Sequence, residues 1–151
     1  MKVGLANTDI TPDRPTYMTG FAARTEPSEG AYNRLEASAM VFDNGATRLG
    51  IMAVDLVGVD EYLLDPIRAK ATDLGIPPEC MLVNCSHTHC APACRRVRGS
   101  CRKFDDEYLT ELIGKLQALL QAAVGDLQES RVQLAAAQCT LGINRLGRRA
   151  D

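Results

Sequence analysis

Tryptophan is absent from this sequence of 151 residues, and aromatic residues make up only 5% of it. Proteins that bind single-stranded nucleic acid stack bases on aromatic side chains set among basic ones, and the net charge here is -2. No apolar run approaches the roughly 18 residues of a membrane span, and the first residues lack the apolar stretch of a signal peptide. We therefore expect a cytoplasmic protein with no nucleic-acid partner and no transmembrane segment.

The composition that remains is that of an ordinary globular protein, with 46% hydrophobic and 24% charged residues. Because no repeat or low-complexity linker divides the chain, we predict a single structural unit over residues 1–151. We predict an α/β fold with a mixed β-sheet, packed helices and the order β-ββ-α-β-α-β. The strands are expected at Val3–Ile10, Glu36–Asp43, Thr47–Asp55, Met81–Ser86 and Arg131–Thr140, and the helices at Asp65–Gly75 and Asp105–Gly125.

Local signals carry these boundaries. Asn44 and Gly45 between two β-branched runs are typical of a hairpin turn, and a stripe of leucines at helical spacing predicts the second helix. Asp65 followed by Pro66 predicts a helix start, with the aspartate as the N-cap. The segment from Arg14 to Asn33 is long and has little periodicity, which marks it as a candidate functional loop.

The main chemical clue is a cluster of cysteine and histidine. Five of the six cysteines fall between positions 80 and 101, and both histidines of the protein, His87 and His89, lie in the same interval. If the strand before them continued, both imidazoles would share one face and converge on an ion or a substrate. Three interpretations are open: a structural zinc site, a catalytic metal site, or thiols and histidines with no metal. The structural zinc site would use Cys85, His87, Cys90 and Cys94.

Several short motifs, in this order, resemble the neutral (alkaline, non-lysosomal) ceramidase family. The run Val3–Pro12 is similar to the family's opening Gly-x-Ala-x-x-Asp-Ile-Thr-x-Pro strand, and Met18–Ala22 resembles its Met-Gly-Tyr-Ala loop. The run Ser86–Pro92 corresponds to a Ser/Thr-His-Thr-His-Ser-x-Pro motif, with Cys90 in place of the serine. Asn144 and Arg145 correspond to an Asn-Arg motif. The resemblance extends over nearly all of this chain.

The resemblance implies a zinc-dependent amide hydrolase that acts on an N-acyl amide or ceramide-like lipid. It implies that His87 is a zinc ligand, that His89 and Arg145 are catalytic, and that Gly20 contacts the substrate. In the family the other zinc ligands lie downstream of the Asn-Arg motif. We therefore expect these residues to be the amino-terminal part of a larger catalytic domain, inactive alone and self-associating through exposed apolar surface.

An alternative function is a non-catalytic module that holds a metal or an anionic partner. It would use the cysteine and histidine cluster together with five nearby cations: Arg95, Arg96, Arg98, Arg102 and Lys103. A zinc site that depends on the thiols would favour this module over the hydrolase.

Overall fold

A computed structural model of the protein describes residues 1–21, 23–95 and 103–139. Within these residues, five strands form one sheet in the order β4-β3-β2-β1-β5. The strands are β1 (Lys2–Asp9), β2 (Glu36–Asp43), β3 (Arg48–Val54), β4 (Met81–Cys85) and β5 (Gln128–Glu129). The helices are α1 (Glu61–Asp73) and α2 (Asp106–Gly125), and a short 3-10 turn, Pro78–Cys80, precedes β4.

The sheet is mixed, as the sequence predicts. The pairs β1–β2, β2–β3 and β1–β5 are antiparallel, whereas β4 lies parallel to β3 after the crossover through α1. At the β2–β3 hairpin, the side chain of Asn44 accepts hydrogen bonds from the amides of Ala46 and Thr47, and Gly45 adopts a φ of 88°. These side-chain bonds and the left-handed glycine close the turn that joins the two strands.

Both helices pack on one face of the sheet. The buried side of α2 covers β1 and β2. It is a stripe of leucines at helical spacing: Leu109, Leu112, Leu116 and Leu120. The closest approach is at Gly4 of β1, where an added Cβ atom would overlap the carbonyl oxygen of Ala123. Glycine at this position is what allows α2 to lie directly against the strand.

Helix α1 begins earlier than the sequence suggested. The predicted N-cap, Asp65, lies inside the helix, and Asp60 occupies the cap position instead. The reason is the apolar stripe of Leu63, Ile67 and Ala71, which is fully buried and which extends the helix one turn ahead of Pro66. The predicted end at Gly75 is confirmed. Gly75 has a φ of 74°, and the next amide, at Ile76, donates to the carbonyl oxygen of Ala71.

The predicted last strand, Arg131–Thr140, is wrong over the part that the structure describes. Residues 131–139 contain no strand, and Thr140 lies outside the described residues. The pairing with β1 begins earlier, at Gln128 and Glu129, and runs toward the first residue of the chain. The amide of Ser130 donates to the carbonyl oxygen of Met1, the first residue. Residues after Ser130 therefore have no residue before Met1 with which to pair. No helix in the described ranges is long and apolar enough to cross a membrane.

Candidate functional site

The histidine segment follows the carboxyl end of β4, beside the carboxyl end of the parallel strand β3. The amide of Ser86 donates to the carbonyl oxygen of Val54 (3.0 Å), and the amide of His87 donates to that of Leu56 (3.0 Å). Polar residues at this edge of an α/β sheet are positioned for binding, because several loops converge there.

His87 turns the chain at this point. Its φ is 62°, the only positive φ of a non-glycine residue in the described part of the chain. Strand geometry therefore ends before the histidines, unlike the sequence expectation of a continuing strand. The two imidazoles nevertheless lie close together, with ring centroids 5.3 Å apart and planes tilted by 56°. The turn, rather than strand alternation, brings the rings together.

The long loop between β1 and β2 packs against the segment that follows the histidines. Met18 and Pro92 form a β-bridge, and the amide of Ala93 donates to the carbonyl oxygen of Tyr17 (2.9 Å). The amide of Thr19 donates to the carbonyl oxygen of Ala91. This pairing fixes Gly20 and Phe21 beside His89, although the two segments are far apart in sequence.

Gly20 lies directly against the ring of His89. A Cβ atom at Gly20 would come within 2.6 Å of the Cβ atom and 2.8 Å of the Cδ2 atom of His89. Gly20 also has a φ of 103°, a conformation that other residues rarely adopt. Both constraints favour glycine here. The structure therefore places Gly20, which the sequence predicts as a substrate contact, against His89.

Phe21 and Arg24, to which the sequence assigns no role, also contact His89. The ring of Phe21 meets the imidazole edge-on, with centroids 5.2 Å apart and an interplanar angle of 83°. The guanidinium of Arg24 lies 5.0 Å from the Phe21 ring centroid and donates to the backbone oxygen of His89 (3.1 Å). Phe21 belongs to a motif that the sequence reveals. Arg24 is not predicted from the sequence, because its only signal is a positive charge three residues after Phe21.

The described residues do not assemble a complete metal site. They contain no group of three histidine, cysteine, aspartate or glutamate side chains that could hold one ion. The structural zinc set is therefore not formed: Cys94 is buried, whereas Cys90 is exposed. Burial raises the pKa of the Cys85 thiol, which disfavours the thiolate that binds metal. Arg145 lies outside the described residues.

Asp55, which directly follows β3, is hydrogen-bonded to the backbone of Glu36. Its Oδ2 atom accepts a hydrogen bond from the amide of Glu36 (3.1 Å), and its own amide donates to the carbonyl oxygen of Glu36. The carboxylate therefore fixes the start of β2 at the edge of the sheet that carries the histidines.

Comparison with solved structures finds the same arrangement of strands and helices in a known enzyme. The crystal structure of neutral ceramidase from Pseudomonas aeruginosa matches with a TM-score of 0.74 and 20% sequence identity, over 84% of this chain and 22% of that one. This chain is similar in fold to part of neutral ceramidase. A structure described as ceramidase complexed with C2 matches with the same TM-score and identity, over 84% of this chain and 21% of the other.

The structural likeness to ceramidase confirms at the level of the fold what the short motifs indicated. No protein-family model matches the sequence, and no curated protein matches it significantly. The chain spans about a fifth of the length of the ceramidase structures. The motifs at Met18–Phe21 and Ser86–Pro92 are also neighbours in space, joined by the bridge between Met18 and Pro92.

Proposed function

We propose that this chain forms the amino-terminal part of the catalytic domain of a zinc-dependent amide hydrolase that cleaves an N-acyl amide. The ceramidase-like fold supports this, as do the ordered motifs and the position of both histidines at the carboxyl edge of the sheet. The C2 in the complex described above is bound to that ceramidase. For this protein we propose a ceramide-like or other lipid-like N-acyl amide.

The observation that carries the proposal is the backbone of His87. A left-handed conformation costs free energy in a non-glycine residue, and such conformations concentrate at functional sites. Here the turn brings two exposed or half-buried imidazoles within 5.3 Å of each other. The backbone conformation and the proximity of the rings together support a functional role for the pair.

Two imidazoles do not make a catalytic zinc site, which uses about three protein ligands and keeps one position open. The described residues do not supply the third donor. We therefore assign His87 as one ligand, with the remaining ligands outside the described part of the chain. The zinc ion, when bound, would polarise the amide carbonyl and lower the pKa of a bound water.

The chain's own residues would act on the substrate as follows. The imidazole of His89 would donate a hydrogen bond to the oxyanion that develops on the amide carbonyl, the kind of contact that stabilises a tetrahedral intermediate. Phe21 and Gly20 hold that imidazole in place, and the guanidinium of Arg24 fixes its backbone. Arg145 would add a polar contact to the substrate.

Zinc titration of the isolated chain of 151 residues tests this division of ligands. We expect weak zinc binding and no hydrolysis of a fluorogenic N-acyl amide, because a single family ligand cannot hold the ion. Tight stoichiometric binding that is lost in His87→Ala but survives alkylation of every cysteine would contradict the proposal. Tight binding that disappears on alkylation would instead support the metal-binding module.

A further inference from the structure

A cavity lies behind the histidine segment. It has a volume of about 700 Å³ and is lined by the loop between β1 and β2, the end of β3 and the segment after β4. Cavities of this size accommodate small organic molecules. Apolar side chains, among them Met18 and Leu35, form part of its lining together with hydroxyl and carboxylate groups.

The cavity is distinct from the histidine site. Thr88, Cys90 and Pro92 line it, whereas neither His87 nor His89 is among the lining residues. His89 contacts Gly20 and Phe21 instead. The segment 86–92 therefore forms a wall between the two, with its histidines on one side and Thr88 and Cys90 on the other.

A buried hydroxyl group in the cavity wall lacks a partner. Thr16 is only 2% exposed, and its Oγ1 atom has no hydrogen-bond partner among the described residues. Its backbone is fixed, because the Thr16 amide donates to Ser28 Oγ (3.1 Å) and the Ser28 amide donates to the Thr16 carbonyl oxygen (2.9 Å). Buried polar groups are nearly always hydrogen-bonded, so an orphaned hydroxyl that lines a cavity points to a ligand.

The charged residues that line the cavity indicate the sign of the ligand's charge. Both lining arginines are already paired with carboxylates, and one of these, Asp13, also lines the cavity and lies 3.0 Å from Arg14. Arg14 binds Asp105 (3.2 Å) and Glu111 (3.1 Å), and Arg34 binds Asp9 (3.3 Å).

Asp55 also lines the cavity, and it has no cationic partner within the residues that the structure describes. One of its oxygens accepts the Glu36 amide, which leaves the other available. An unpaired carboxylate favours a cation over an anion.

We propose that this cavity binds a small organic ammonium ion that carries a second hydrogen-bonding group. The ammonium group pairs with Asp55, the second group bonds to the Thr16 hydroxyl, and the linking carbons contact Met18 and Leu35. This proposal goes beyond amide hydrolysis and stands without it, because neither His87 nor His89 lines the cavity.

The test is a titration of the isotopically labelled chain with three matched probes, followed through backbone amide NMR signals of the cavity. The probes are 5-aminopentan-1-ol, pentylamine, which lacks the hydroxyl, and pentane-1,5-diol, which lacks the charge. We expect saturable shifts at the cavity with 5-aminopentan-1-ol, weaker binding of pentylamine and the weakest binding of the diol.

Two conservative substitutions separate the groups. Thr16→Val keeps the shape, and we expect about 2- to 10-fold weaker binding of 5-aminopentan-1-ol with pentylamine unaffected. Asp55→Asn retains an oxygen for the Glu36 amide, and we expect both amines to bind about tenfold more weakly or worse. Thr47→Val in the hairpin turn and Asp65→Asn on α1 are the matched controls, and they should bind as the unsubstituted chain does.

The stability of Thr16→Val is a second readout. Removing a hydroxyl that bonds to nothing should leave the melting temperature unchanged or raise it, whereas a hydroxyl with a structural role would lower it. Equal binding of the diol and 5-aminopentan-1-ol would overturn the proposal. So would unchanged binding in both cavity variants, or no saturable shift at the cavity, which would mean that the hydroxyl is satisfied by solvent alone.

Discussion

The two faces of the sheet differ although the same strands form both. On the face beneath the helices, residues such as Val41 and Met52 are fully buried. On the opposite face, where no described residues form a covering layer, one apolar row crosses four paired strands: Leu5, Met40, Ile51 and Leu82. Leu5 and Leu82 in that row are 55% and 58% exposed.

The difference shows that alternation within a strand does not by itself tell which face is covered. Both faces carry apolar residues near their centres, and only the helix layer decides which of them contributes to the core. On the open face the next row is mixed, with the polar residues Asn7, Ser38 and Asn84 in register with Ala53. Burial energy should therefore be concentrated on one side of the sheet.

The largest expected effect separates the two faces directly. Leu112→Ala removes a fully buried side chain of α2, and we expect the free energy of unfolding to fall by about 2–5 kcal/mol. Leu82→Ala on the open face is the matched control, and surface changes of this kind usually stay within about 0.5 kcal/mol. Urea unfolding measures both. Equal losses would mean that the open face is covered in solution.

A second pair of substitutions tests the contact between α2 and β1. Gly4→Ala forces a Cβ atom against the helix backbone, and overpacking of this kind costs about 1–3 kcal/mol. Gly114→Ala, on a side of α2 with open space around it, should stabilise the chain by up to about 1 kcal/mol. Thermal unfolding of the two variants in parallel checks the opposite signs, and a neutral Gly4→Ala would contradict the close packing.

The start of α2 should make the covered face sensitive to acid. The hydrogen bond from the Tyr108 amide, aided by Arg14, lowers the pKa of the Asp105 carboxyl. A carboxyl with a lowered pKa stabilises the fold above its unfolded pKa, about 3.9, and this contribution is lost as the pH falls through the lower folded value. Asp105→Asn should flatten the loss of stability below about pH 4.

Chemical unfolding across the acid range measures that slope, and Asp65→Asn, an exposed carboxyl on α1, is the control. The lowered pKa values of Asp9, from bonds to Thr11, and of Asp43, from its bond to Arg48, add to the acid sensitivity and persist in the variant. A slope in Asp105→Asn equal to that of the unsubstituted chain would show that the cap contributes nothing.

The smallest expected change in stability concerns the open face itself. Leu82→Lys should leave the free energy of unfolding nearly unchanged, since the side chain is already exposed, while it interrupts the apolar row. We expect less binding of an apolar dye and less self-association by light scattering. A monomeric unsubstituted chain without dye binding would count against the exposed row.

Much of the fold was predictable because its signals are local. The bounds of β2 at Glu36–Asp43 and the end of α1 at Gly75 follow from turn residues and from periodicity within each element. The start of α1 could not be predicted in this way. Proline generally prefers the first turn of a helix, but burial of Leu63 extends the helix one turn before Pro66. Strand β5 was missed because its position depends on where β1 begins, which is a tertiary constraint.

The candidate site divides in the same way. The proximity of His87 and His89 was expected, although from strand alternation rather than from the turn at His87. The ceramidase resemblance marked Gly20 only as a substrate contact, so its contact with His89 was not predicted. The pairing of the Tyr17–Thr19 segment with Ala91–Ala93 joins distant parts of the chain, so the role of Arg24 could not be predicted. The same holds for the orphaned hydroxyl of Thr16.

The central claim is tested most directly by measuring metal content and amide hydrolysis together. The protein to use is the one encoded by the complete reading frame that contains these residues. We expect His87→Ala to lose zinc and activity together. His89→Ala should keep zinc while kcat falls by about 10² to 10³, because it removes a group that acts only in the transition state, and Arg145→Ala should behave similarly. Loss of zinc in His89→Ala with retention in His87→Ala, or full metal and activity in both, would contradict the account.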